Sequence, residues 1–85
     1  MEIIYLPKAD EDLTFWINSG NKAVLKRIAQ LTEAILQEPF KGIGKPEALK
    51  YALSGKWSRR ITDVHRYIYQ IENNTLKVYS LRGHY

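Results

Sequence analysis

Apolar and polar positions follow two different rhythms along this chain, and the change between them falls near residue 40. The opening "EIIYL" is short, apolar and β-prone, and Pro7 ends it, so residues 2–6 read as a strand. From Lys8 the interval lengthens. Ala9, Leu13, Trp16 and Ile17 recur at intervals of three and four, with Asp10, Glu11 and Asp12 near the start, where the helix dipole favours acid. This first helix is expected to end near "NSGN". A second helix is plainer: Val24, Ile28, Leu31 and Ile35 share one face, Lys22, Lys26, Gln30 and Glu33 fall elsewhere, and Pro39 stops it.

Residues 39–50, "PFKGIGKPEALK", hold two glycines, two prolines and three lysines with little periodicity, and read as a loop with room for one turn. Beyond it the period shortens to two. "KWSRRITD", "HRYIYQIEN" and "TLKVYSLRGHY" are rich in β-branched and aromatic residues, and "ENNT" suits a hairpin turn. The expected order is β-α-α-β-β-β, an α+β domain over residues 1–85 with two helices on one face of a twisted sheet. That sheet is antiparallel apart from the N-terminal strand, which must join it because a lone five-residue strand is unstable.

Composition narrows the class. At 85 residues there is room for one core, and 45% hydrophobic content rules against disorder. The absence of cysteine removes disulfides and thiolate metal sites, which suits a reducing cytoplasm. No apolar run approaches the roughly 20 residues of a membrane span, and the start "MEIIYLPKADEDL" lacks the features of a signal peptide. The net charge of +4 is unevenly divided. Residues 1–40 carry four Lys/Arg against six Asp/Glu, net −2, and residues 41–85 carry nine against three, net +6. A basic half is the footprint of a polyanion partner, whether RNA, a ribosome or an acidic protein.

Candidate chemistry lies in that half. Arg59 and Arg60 are neighbours on one strand, as are His65 and Arg66 on the next, so one arginine of each pair can face away from the helices. Alternation on the last strand places Leu76, Val78, Ser80, Arg82 and His84 on one side and Lys77, Tyr79 and Leu81 on the other. Glu47 sits between Lys45 and Lys50 on the glycine-bounded loop. As a surface ion pair it would contribute little. As a general base opposite a histidine acid it would suit phosphodiester transfer in RNA: Glu47 takes the 2′-OH proton, arginines stabilise the phosphorane-like transition state, and His84 protonates the 5′-oxygen. No metal or other cofactor is called for, since the two histidines and nine acids show no ligand spacing of a known type. Tyr51, Trp57, Tyr67, Tyr69 and Tyr79 are expected mostly in the sheet packing, with Tyr85 near a nucleotide.

The segments "PFKGIGKPEALK", "LSGKWSRRITDVHRYIY" and "RGHY" resemble the Txe/YoeB toxins of the RelE/ParE superfamily, over nearly the whole chain. The resemblance implies a RelE-like fold and a ribosome-dependent endonuclease that cuts messenger RNA in the ribosomal A site, beside ribosomal RNA. It also implies a cognate antitoxin as partner, a homodimer as an open alternative to the monomer, and products with a 2′,3′-cyclic phosphate and a 5′-hydroxyl. By motif, Glu47 matches the general base, Lys50 the phosphate-side lysine, Arg60 and Arg66 the phosphate and transition-state arginines, His84 the general acid and Tyr85 the aromatic that orients substrate. Arg59 and Lys45 complete the expected substrate-binding cations. Ala48 stands where the family pattern carries a second proline. A ParE-like toxin that binds a topoisomerase without cutting RNA shares the fold, but has no need of Glu47, Arg66 and His84 together. A passive RNA-binding module would keep its affinity without Glu47 and His84.

Overall fold

The structure is a computed structural model that describes residues 1–84. Among them the chain runs β1 (Glu2–Tyr5), α1 (Pro7–Ser19), α2 (Lys22–Gln37), β2 (Glu47–Ala48), a single 3-10 turn (Tyr51–Leu53), β3 (Trp57–Arg60), β4 (Arg66–Glu72) and β5 (Thr75–Ser80). The sheet order is β1-β5-β4-β3-β2, with β1 parallel to β5 and every other pairing antiparallel.

Local chemistry explains the boundaries. Pro7 occupies the first turn of α1, where its missing N–H costs nothing, and Gly20 ends the helix in the left-handed region at φ 70. Asn21 then caps α2, its side chain accepting from the Val24 N–H at 3.1 Å. Val24, Ile28, Leu31 and Ile35, the stripe read from the sequence, are all buried, against Ile61, Tyr67, Tyr69, Leu76, Val78 and Leu81 from the sheet side. Each buried leucine there stabilises the fold by roughly 1.5–3 kcal/mol. The β4–β5 hairpin turns through Asn73 and Asn74 at φ 52 and 57, with Glu72 opposite Thr75, the geometry of a two-residue type I′ turn.

Three expectations are corrected. The loop 39–50 contains a two-residue strand, β2, which pairs with β3 and gives the sheet five strands among the described residues. On α1 the buried residues are Ala9, Asp12 and Trp16, with Leu13 packed half-buried against the core, while Ile17 is 57% exposed. The last strand stops at Ser80, and Leu81 turns into the core, against the side that strict alternation gave it. The cause is competition for its backbone. The Asp12 carboxylate accepts the Leu81 N–H at 3.0 Å and the Trp16 indole donates to the Leu81 carbonyl at 2.9 Å, so neither group is left to continue the ladder.

Candidate active site

Residues opposite one another on paired strands send their side chains to the same face. The helix side of the sheet takes Arg59 opposite Tyr67, and Trp57, Tyr69 and Val78 in one row. The helix-free side takes the row Glu47–Ser58–Ile68–Ser80, with Arg60 opposite Arg66 one step along. Glu47 and the strand that leads to His84 therefore share a face, three strand spacings of about 4.8 Å apart.

Two adjoining grooves mark that face. One of about 300 Å³ is lined by Glu47, Lys50, Tyr51 and Leu53, with Ala48 and Leu49. The other, about 260 Å³, is lined by Leu53, Lys56, Ile68, Tyr79, Ser80 and His84, with Lys8 at its edge. Leu53 belongs to both. A third cleft of about 340 Å³ brings Lys45 and Arg60 together with Arg27 and Thr62. Glu47 is thus an exposed carboxylate whose groove also holds Lys50, and His84 is exposed at the far end of the same surface. Tyr85 lies outside the described residues.

Arg59 departs from its expected role. It is 0% exposed and cannot meet a substrate. Its guanidinium donates to the carbonyls of Glu38 at 2.7 Å, Lys41 at 2.8 Å and Ile43 at 3.1 Å, and to the Tyr69 hydroxyl at 3.2 Å. Tyr69 in turn donates to the Pro39 carbonyl at 2.6 Å, and burial pushes its phenol above the usual range despite the nearby guanidinium. The loop 38–44 is therefore wrapped around one buried cation. Gly44, at φ 84, makes this wrap close enough, since a Cβ there would lie 2.7 Å from Leu31 Cδ2. Its carbonyl accepts the Arg60 N–H at 2.7 Å, which fixes the start of the path to Glu47.

Arg66 is almost buried, and its Nη1 donates to the carbonyls of Thr62 at 2.9 Å and Asp63 at 3.0 Å, tying the β3–β4 turn to the sheet face. Residues 81–83 follow the edge of that turn. Lys8 Nζ donates to the Arg82 carbonyl at 3.0 Å, the Gly83 N–H donates to His65 Nδ1 at 2.9 Å, and the Gly83 carbonyl accepts from the Arg66 N–H at 3.0 Å.

Asp12 and Trp16 had no place in the sequence reading of the site, and His65 entered it only as the neighbour of Arg66. Asp12 was legible in principle, because an acid on the inward stripe between Ala9 and Trp16 needs a partner. Tyr51 was read toward the packing, yet it is 93% exposed at φ 58 beside Lys50. Among the described residues no group of three or more His, Cys, Asp or Glu side chains is arranged to hold a metal ion, and no helix is long and apolar enough to cross a membrane.

Comparison with known proteins places the arrangement. The profile described as "YoeB-like toxin of bacterial type II toxin-antitoxin system" matches residues 5–85. The chain is 51% identical to the toxin YoeB of Synechocystis sp. over 70 residues, 82% of this chain and 81% of that one. A YoeB/ParE toxin from Agrobacterium tumefaciens superposes with a TM-score of 0.96 at 34% identity, covering 100% of both chains. The toxin of a heterotetrameric YoeB–YefM complex from Staphylococcus aureus superposes with a TM-score of 0.89 at 37% identity, covering 100% of this chain and 98% of that one.

Proposed function

Since this chain belongs to the family of YoeB-like toxins of bacterial type II toxin–antitoxin systems, we propose that it acts as a metal-independent endoribonuclease that cuts messenger RNA in the ribosomal A site and so halts translation in the cytoplasm. The observation that carries this reading is the row Glu47–Ser58–Ile68–Ser80, which sets a carboxylate and an imidazole-lined groove on one face of the sheet beside Arg60 and Arg66.

On that face the chemistry divides by side. Glu47 removes the proton from a ribose 2′-hydroxyl, and the freed oxygen attacks the adjacent phosphorus. Charge developing on the non-bridging oxygens is met by Arg66 and Arg60, with Lys45 and Lys50 on the loop side. His84 delivers a proton to the departing 5′-oxygen, leaving a 2′,3′-cyclic phosphate and a 5′-hydroxyl. Tyr85 orients the substrate in this scheme. Tyr51, held outward in a backbone conformation that costs a bulky residue about 1–2 kcal/mol, offers a face on which a splayed base can stack. A YefM-like antitoxin is the cognate partner, as in the S. aureus heterotetramer, and self-association into a homodimer has its parallel in the YoeB dimer from the same organism.

Primer extension on translated mRNA tests the reading. Wild-type protein is expected to produce cuts within codons, and His84→Ala or Glu47→Ala to lower their rate by about 10²-fold or more with ribosome binding largely kept. Binding and growth arrest without cuts would overturn it.

A further inference from the structure

We propose that His65 is the positioning residue for His84, holding the preceding glycine through a hydrogen bond to its backbone; the inference rests on the assignment of His84 as the acid and deepens it. Gly83 is in the left-handed region at φ 88, with open space where a side chain would stand. A glycine so placed is free to turn, and the residue after it turns with it. Both of its peptide planes are nevertheless fixed. The N–H on one side donates to His65 Nδ1 at 2.9 Å, and the carbonyl on the other accepts from the Arg66 N–H at 3.0 Å. With the two planes set, the direction in which His84 leaves the backbone is set as well.

Accepting at Nδ1 requires the neutral imidazole with its proton on Nε2. The ring is held for this by Trp16, whose indole meets it edge-on at 4.9 Å and 82° while donating to the Leu81 carbonyl at 2.9 Å. Asp12, 6% exposed, accepts the Leu81 N–H. Helix α1 thus steadies both the segment and the imidazole that orients its last turn. His65 also directly precedes Arg66, so the entry to β4 supplies a transition-state arginine and orients the acid.

The test compares wild type with His65→Asn, which keeps an acceptor near the Nδ1 position without the ring, and His65→Phe, which keeps a ring against Trp16 without the acceptor. Two readouts are taken: amide hydrogen exchange and ¹⁵N relaxation at Gly83 and His84 in the free toxin, and single-turnover cleavage on translating ribosomes. Gly83 is expected to be protected and His84 ordered in wild type and His65→Asn. In His65→Phe both are expected to loosen, with kcat falling about 10- to 100-fold at nearly constant KM. If His65→Phe does not fold, His65→Gln, whose acceptor lies one bond farther out, takes its place with the same expectation. Equal Gly83 protection in all three proteins, or wild-type kcat in a folded variant whose Gly83 exchanges freely, overturns the proposal. A wild-type protein that cuts nothing while the exchange pattern holds removes the nuclease reading and supports the clamp.

Discussion

Arg59 brings a permanent charge into a place with no solvent exposure, and what meets it there is a set of carbonyl dipoles and a phenol. A planar guanidinium can reach four acceptors in different directions, while an ammonium on a flexible stem cannot. Arg59→Lys is therefore expected to destabilise the fold by about 2–4 kcal/mol, from several charge-assisted bonds worth about 1.5–3 kcal/mol each and partly replaced, measured as the shift in urea unfolding. Cleavage should fall as well, because the loop that presents Glu47 is the one released. The sequence shows that two adjacent arginines must point opposite ways. It does not show which of them faces the helices, since that depends on register with Tyr67. Tyr67 itself gives a pH test. Burial pushes its phenol well above the usual range, against the opposing effect of the bond to Thr32 at 2.7 Å. The folded state therefore prefers the neutral phenol. Its contribution is complete below the unfolded value of about 10 and is lost as pH rises above that. Urea midpoints recorded between pH 8 and 11 are expected to fall at the alkaline end, and to fall less steeply in Tyr67→Phe.

Among the elements, the β4–β5 hairpin was the most legible, because "ENNT" offers the residues that tolerate a left-handed backbone. Asn74, at φ 57, fills the second turn position. Asn74→Gly is expected to be neutral or mildly stabilising and Asn74→Val to cost about 1–2 kcal/mol, read from thermal or urea unfolding. The α2 stripe was equally plain. What escaped the sequence were the elements whose form depends on distant partners. β2 is two residues long and exists because β3 offers it an edge, and the end of β5 is decided by Asp12 and Trp16, more than sixty positions earlier in the chain. The site divides along the same line. Glu47, Arg60 and His84 stand out by type and motif, whereas the burial of Arg59 and the bond from Gly83 to His65 become visible only once the chain is folded.

Across the whole molecule the basic half supplies the helix-free face. Lys45, Lys50, Lys56 and Arg60 line its grooves and adjoining cleft. If those four cations each meet a phosphate of unpaired RNA, log affinity should fall against log salt with a slope of about 3. A titration of binding to RNA-bearing ribosomes from low to high salt measures it, and a flat response would remove polyanion capture from the account. The order of strands has a further consequence. β1, made first, has β5 as its neighbour in the sheet, and β5 comes from residues 75–80. During synthesis the opening segment waits for nearly the whole remaining chain before it finds its place. A nascent protein without those residues has an interrupted sheet, and the face on which the proposed cleavage depends is not assembled until β5 has joined β1 and β4.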